Sequence, residues 1–434
     1  MKRPLAILLV LLAVLALAAC GGATPDDATP AAPDATTLPD QPTAAATTPA
    51  ETPTAGQPTA APTAEPTATT ATTPEALCPD LPRPALILST GPGFEAHNPL
   101  SGERCPLPLP ETMGYLQPGG DRLYFVAFDS EASTNVVSRL GPGGVIEPLE
   151  PTRATGDVYY LLRFAVAADE SRLAWSRMAT QADASAMALQ GSLWIGAADS
   201  GAADSGAADG DAAVPVFENQ LGGESRIVTP LRFTADGATL YFTWEPIGLG
   251  GSWNAFNGRY DNLYRVAVAG GAPEKVFDCA GMGLFLCAGD FLDDGTVAYI
   301  DTNRVIYVAG PDGAELAAVP TTADYAGYPT FGPTGDLYYS EAVIPVNDPG
   351  LAVPAPGTVY RLDAPYTGAP ALVATADGLL PSATGRPFLD ADHLVVGYFQ
   401  NEMWGTAVLS SAGDITPLEP WPNATLAAVW SGGE

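Results

Sequence analysis

An all-β body of four-stranded antiparallel blades arranged as a β-propeller is what this sequence predicts, on three observations. From Cys78 onward the apolar residues fall in short alternating runs separated by Gly, Pro, Asp and Asn turns. No window holds a helical period over several turns. An aromatic, a tight polar turn and an apolar strand recur as a unit along the whole segment 115–399.

Ahead of that body lies a leader. Lys2 and Arg3 are followed by an apolar run over residues 5–19, shorter than the roughly 20 apolar residues that span a bilayer. A positive start, a short apolar stretch and a small-residue end read as a signal peptide over residues 1–19. Leu17, Ala18, Ala19 and Cys20 resemble the lipobox of bacterial lipoproteins. The resemblance implies cleavage before Cys20, a diacylglycerol on its thiol, and an extracytoplasmic chain held at a bacterial membrane by lipid.

Residues 20–77 form a second region. After Cys20 they are mostly Thr, Pro and Ala, with no Lys, Arg or aromatic residue. Such a composition cannot fill a core and predicts a disordered, partly polyproline-like stalk. A flexible chain of that length reaches about 45 Å. The folded body is expected over 78–434.

The charge excludes one class of partner. With 49 acidic against 18 basic residues the net charge is −31, so nucleic acid, whose phosphates need clustered Lys and Arg, is not expected. Anionic lipid head groups are not expected for the same reason.

Six copies of the repeat open at Tyr115, Phe164, Phe233, Phe291, Phe331 and Phe388. Each is followed by a second hairpin with a Gly-containing turn, as in 262–277, 304–319 and 358–373. Two hairpins make four antiparallel strands, one blade. The turns Thr234-Ala235-Asp236-Gly237 and Leu292-Asp293-Asp294-Gly295 carry the pattern best, while the copies at Phe164 and Phe388 lack the glycine. The series resembles the repeats of TolB-like and WD-like β-propellers and covers nearly all of 84–434. The segment 428–433 reads as the first strand and turn of a further copy, and 84–109 supplies three more strands. The expectation is a ring of seven blades, closed by one C-terminal strand beside these three N-terminal ones, which leaves no open sheet edge at the junction. The alternative is six blades with capping strands.

Four cysteines remain after Cys20, and outside the cytosol an even count suggests disulfides. The local pairings Cys78 with Cys105 and Cys279 with Cys287 are expected. No Cys-x-x-Cys is present and neither histidine lies near a cysteine, so no metal site is expected.

No esterase, zinc-protease or phosphate-loop signature is present. His97 and His393 fall in separate strands and are read as structural. No cofactor is implied. Long connections between second and third strands are expected at 177–191, 245–261 and 341–357, and long loops on a rigid scaffold are where binding concentrates. In 245–261, Trp253, Phe256 and Tyr260 offer flat apolar surface, with Asn254, Asn257 and Arg259 beside them, a composition suited to sugars or peptides. The tandem repeat at 196–211 meets no calcium-loop consensus and is read as a solvated insertion. The sequence thus points to a non-catalytic binding module for an envelope protein, peptide or glycan. The alternatives are a glycan-cleaving enzyme with an acid pair near the channel mouth and a structural scaffold without small ligand.

Overall fold

The computed structural model describes residues 81–431 except 92, 112, 130–133, 150–151, 154–162, 181–188, 199–213, 222–225, 247–258, 280–286, 322, 324, 343–355, 382–386, 401–402 and 419–424. The leader, Cys20, the stalk, Cys78, Trp253, Asn254, Phe256, Asn257 and most of the tandem repeat lie outside the described residues. Residues 71–434 make one compact unit, whose propeller is described here.

Seven four-stranded antiparallel sheets follow one another along the chain as the blades of a β-propeller. Blade 1 has the order β28 (Thr425–Trp430), β1 (Ala85–Ser89), β2 (Phe94–His97), β3 (Arg104–Leu107). Blade 2 runs β4 (Leu116–Gly119), β5 (Arg122–Asp129), β6 (Thr134–Leu140), β7 (Ile146–Pro148). Blade 3 runs β8 (Arg163–Val166), β9 (Arg172–Thr180), β10 (Leu189–Ala197), β11 (Val214–Leu221). Blade 4 runs β12 (Arg226–Phe233), β13 (Thr239–Pro246), β14 (Asn262–Ala267), β15 (Glu274–Asp278). Blade 5 runs β16 (Ala288–Phe291), β17 (Val297–Ile300), β18 (Val305–Ala309), β19 (Glu315–Pro320). Blade 6 runs β20 (Tyr325–Phe331), β21 (Leu337–Ala342), β22 (Pro356–Leu362), β23 (Ala371–Asp377). Blade 7 runs β24 (Leu380–Pro381), β25 (His393–Gln400), β26 (Met403–Ser410), β27 (Ile415–Pro417).

Burial falls outward across each blade. In blade 6 every residue of β21 is buried, β22 is mixed, and β23 is mostly exposed. A strand covered on both faces needs no polar alternation, whereas one covered on a single face does. This is why second strands such as Leu240-Tyr241-Phe242 read as continuous apolar runs.

The apolar core is divided into seven slabs, each shared by two neighbouring blades. Tyr124, Val126 and Val137 of blade 2 pack with Phe164, Leu173 and Trp175 of blade 3. Leu193 and Ile195 of blade 3 pack with Phe233, Leu240 and Phe242 of blade 4. The remaining junctions repeat the arrangement. Aromatic residues at the same step of successive second strands face a third-strand aromatic, as in Phe242 with Tyr264, Tyr299 with Tyr307 and Tyr339 with Tyr360, all stacked with centroids 5.0–5.4 Å apart.

Turn chemistry explains the recurring Asp-Gly. Thr234 and Ala238 both bond the Asp236 carboxylate, at 2.6 and 3.0 Å, and Gly237 takes φ +67, which costs glycine nothing. The copy without glycine solves the same problem differently. Glu170 adopts φ 57, a conformation that disfavours a side chain. Its carboxylate accepts the Asp121 N–H at 2.5 Å and the Tyr124 hydroxyl at 3.0 Å and pairs with Arg122 at 3.1 Å, so the strained turn is clamped to blade 2. In the copy at Phe388, Asp390 accepts from the Asp392 amide at 2.8 Å and lies 2.8 Å from His393 Nδ1. His393, the first residue of β25, therefore braces this turn. His97 is buried in β2, and burial, with Arg104 nearby, lowers its pKa.

Three sequence expectations shift. β9 and β10 pair outward as far as Thr180 and Leu189, so that connection is 181–188 and not 177–191. The connection after β13 begins at 247, and the one after β21 is 343–355. In each case the ladder extends further than the apolar pattern, because backbone pairing tolerates polar side chains at a strand end. The aromatic openers are also not equivalent. Phe233, Phe291 and Phe331 end their strands, paired with Leu240, Val297 and Leu337. Phe164 pairs with Trp175, two residues before the last pair of its strand, and the Tyr115 carbonyl accepts from Val126, earlier still.

The ring is closed by β28. Trp430 pairs with Ala85, Val429 with Leu86 and Ala428 with Ile87. The buried Trp430 ring donates from Nε1 to the Gly120 carbonyl at 3.3 Å, lies 4.4 Å under the Arg83 guanidinium, and Arg83 pairs with Asp121 at 2.6 Å. The closing strand is thus bolted to blade 2. Replacing Trp430 with Ala is expected to lower unfolding stability by about 3–5 kcal/mol, the cost of truncating a buried aromatic. A urea titration checks this; an unchanged midpoint would mean that closure contributes little.

Candidate ligand-binding site

In an antiparallel blade the start of the first strand lies beside the end of the second, as Arg226 lies beside Pro246 and Tyr325 beside Ala342. The connections from second to third strands therefore emerge where the first strands begin. At this end the ring gathers a group of arginines and tyrosines.

Arg163 opens β8, and its guanidinium lies 5.4 Å over the ring of Tyr115, just before β4. The same ring meets Phe164 edge-on at 5.3 Å. Burial pushes the Tyr115 phenol up to about 12; Tyr260 and Glu245 raise it further and Arg163 opposes them. Tyr115, Arg163, Glu245 and Tyr260 are thus neighbours drawn from blades 2, 3 and 4.

Arg259 and Tyr260 arrive on the chain returning from β13. Both amides donate to the Ala288 carbonyl, at 2.6 and 2.9 Å, and Ala288 donates back to Tyr260 at 3.1 Å. The returning chain therefore lies along the first strand of blade 5 before it enters β14. Tyr260 packs edge-on against Phe291 at 6.1 Å. Asn262, buried at the start of β14, fixes the entry by accepting from the Trp244 amide at 2.9 Å. On the other side, the Cys279 amide donates to the Asp261 carbonyl at 2.9 Å, and a disulfide joins Cys279 to Cys287, next to Ala288. Cys105 is also disulfide-bonded; its expected partner, Cys78, lies outside the described residues.

Burial is the main cause that raises the phenols of Tyr260 and of Tyr328 in β20; Arg259 opposes it in both. The Arg259 guanidinium sits 6.0 Å from the Tyr328 ring. Tyr328 takes φ 50 where β20 bulges, a strained setting for an aromatic residue. The neighbouring backbone leaves no alternative: a Cβ on Gly289 would meet the Pro329 carbonyl at 2.3 Å, so blades 5 and 6 approach as closely as a glycine allows.

Two acids stand near this group. Glu245 accepts from the Thr229 hydroxyl at 2.9 Å. Asp290 accepts from the Thr330 hydroxyl at 3.0 Å, the Phe331 amide at 2.8 Å and the Phe291 amide at 2.8 Å, and so ties blade 5 to blade 6.

Of the sequence candidates, the structure places Arg259 and Tyr260 in this group; the other four lie outside the described residues. Sequence reasoning missed Tyr115, Arg163 and Tyr328 as site residues. No local signal marks them: Arg163 precedes a repeat aromatic, but so does Arg232, which lies at the opposite end of its first strand.

No family model and no curated protein matches the sequence. Among solved structures, an oligogalacturonate lyase from Vibrio parahaemolyticus aligns at 12% identity and TM-score 0.49, over 75% of this chain and 86% of that one. TolB from Acinetobacter baumannii aligns at 11% identity and TM-score 0.36, over 77% and 79%. A prolyl endopeptidase aligns at 17% identity and TM-score 0.45, over 71% of this chain but 42% of that one, so the chain spans less than half of that enzyme's length. The likeness is one of fold, at identities too low to carry a site across.

Because folding holds Tyr115 protonated above its ordinary range, its stabilising contribution is complete below pH 10 and is lost as pH rises toward about 12. Tyr115→Phe is expected to remove one late phenol from an ultraviolet titration and to flatten the alkaline fall in stability. Loss instead of an ordinary phenol titrating near 10 would mean that this phenol is solvated.

Proposed function

We propose that this protein is a lipid-tethered binding module of a bacterial envelope. In this reading, cleavage before Cys20 exposes the thiol to lipidation, residues 21–77 form a spacer, and the propeller takes an envelope protein, peptide or glycan where its first strands begin. The observation that carries the binding role is the convergence of Tyr115, Arg163, Arg259, Tyr260 and Tyr328 from separate blades at one end of the ring. Arginine and tyrosine concentrate binding energy because each offers a rigid apolar plane with polar edges.

A glycan-cleaving role is less well supported. It needs two carboxyls at a fixed separation, one of them able to deliver a proton. Asp290 is committed to three hydrogen bonds that join two blades, and Glu245 is engaged by Thr229.

Two experiments test the proposal. Cys20→Ser is expected to move the protein from the membrane to the soluble fraction and to abolish fatty-acid labelling; continued membrane retention would overturn the tether. The full-length chain, with and without residues 247–258, is presented to synthetic peptide and glycan arrays. Retention by the parent and loss by the shortened variant, at an unchanged thermal midpoint, is the expected result. Equal retention would move the site elsewhere, and turnover lost on Glu245→Gln would favour the enzyme.

A further inference from the structure

Resting on that binding role, we infer that the site takes a peptide through a carboxylate, read by the guanidinium of Arg163.

The first argument is one of pairing. Acidic residues outnumber basic ones 49 to 18 in this chain. Arginine after arginine has found a carboxylate: Arg83, Arg139, Arg265 and Arg361 pair at 2.6–2.8 Å with Asp121, Glu147, Glu274 and Asp363. Arg163 is different. Among the described residues it makes no ion pair, and its guanidinium lies over the Tyr115 ring. The two acids of the site do not serve it, because Glu245 is turned to the Thr229 hydroxyl of its own blade and Asp290 to the Thr330 hydroxyl and Phe331 amide of the next. A guanidinium stacked on an aromatic ring is held flat with its N–H edge outward, ready for bidentate pairing.

Charge is the second argument. A chain of net charge −31 repels anions over most of its surface. Half-buried Arg163 acts on Tyr115 and Arg259 on the neighbouring Tyr260, which makes this end of the ring the place where a single negative charge is tolerated. A dianion such as phosphate meets twice the repulsion from the rest of the body.

The third argument separates peptide from uronic-acid sugar. Sugar recognition uses an open aromatic face. Here the Tyr115 ring is covered by Arg163 and abutted by Phe164, and Tyr260 is packed on Phe291. Their rings are spent on packing, which leaves the cationic edge of Arg163 for recognition, a group that matches the carboxylate of a peptide.

The test uses the full-length protein and a pool of random N-acetylated pentapeptides, once as C-terminal free acids and once as amides, with galacturonate and inorganic phosphate as competitors. Retention of free-acid or Asp/Glu-containing members is expected. It should fall at least tenfold in Arg163→Gln, fall less in Arg163→Lys, and weaken with added salt; comparison of the two pools separates terminal from side-chain carboxylates. Equal retention of neutral amidated members would overturn the carboxylate, and so would an unchanged Arg163→Gln. Competition by galacturonate or phosphate at lower concentration than by the peptides would replace the peptide with a sugar acid or a phosphate. If neutral peptides bind and are lost with residues 247–258, the binding role stands and this inference alone falls. A circular-dichroism melt of Arg163→Gln matching the parent excludes unfolding as the cause.

Discussion

The sharing of apolar side chains between neighbouring blades is the constraint on which this structure depends. Each slab, such as that of Trp175 with Tyr124, is half-built by one blade and completed by the next. A lone blade would leave both flanks wet, and an open arc would leave two. The burial that stabilises the fold is therefore complete only in a closed circle, which makes the pairing of Trp430 with Ala85 more than a local contact. The polar links follow the same logic: Glu170 to Asp121 and Asp290 to Thr330 both cross a junction, adding direction to an attraction that has none of its own.

The site inherits its rigidity from that circle. Arg163, Asp290 and Tyr328 stand on first strands, each flanked by its own blade and both neighbours. Arg259 and Tyr260 belong to a connection, yet three hydrogen bonds to Ala288 lay them along a strand of the next blade. Side chains separated by up to 213 positions in sequence, Tyr115 and Tyr328, are thus brought to one end of one scaffold. Preorganisation of this kind lowers the entropy lost when a ligand is bound.

Much of the fold was legible in the sequence because its unit is small and repeated. Asp-Gly turns, second strands of continuous apolar residues and the segment around Val429 and Trp430 each carry a local signal, and their series carries the ring. The site was legible only in part. Arg259 and Tyr260 lie in a long connection rich in aromatics, and loop length drew attention to them. Arg163 and Tyr115 were hidden by the repeat itself: their copies look like the others in sequence, but the aromatic sits earlier on the strand, and only the register reveals that Tyr115 faces a different neighbourhood. Tyr328 gave no signal, since a backbone bulge and a close approach at Gly289 are consequences of packing.

The union of β28 with β1 also sets the order in which the molecule can be made. A ribosome releases β1 to β3 first, and their missing neighbour comes last, after six whole blades. Through most of synthesis the flank of β1 is an uncapped template with Leu86, Ile87 and Leu88 along it, the kind of surface on which nascent chains adhere to one another. Maturation is then a single late event, slow because it joins segments so far apart along the chain. The ring of this design is thus completed only when β28 joins β1.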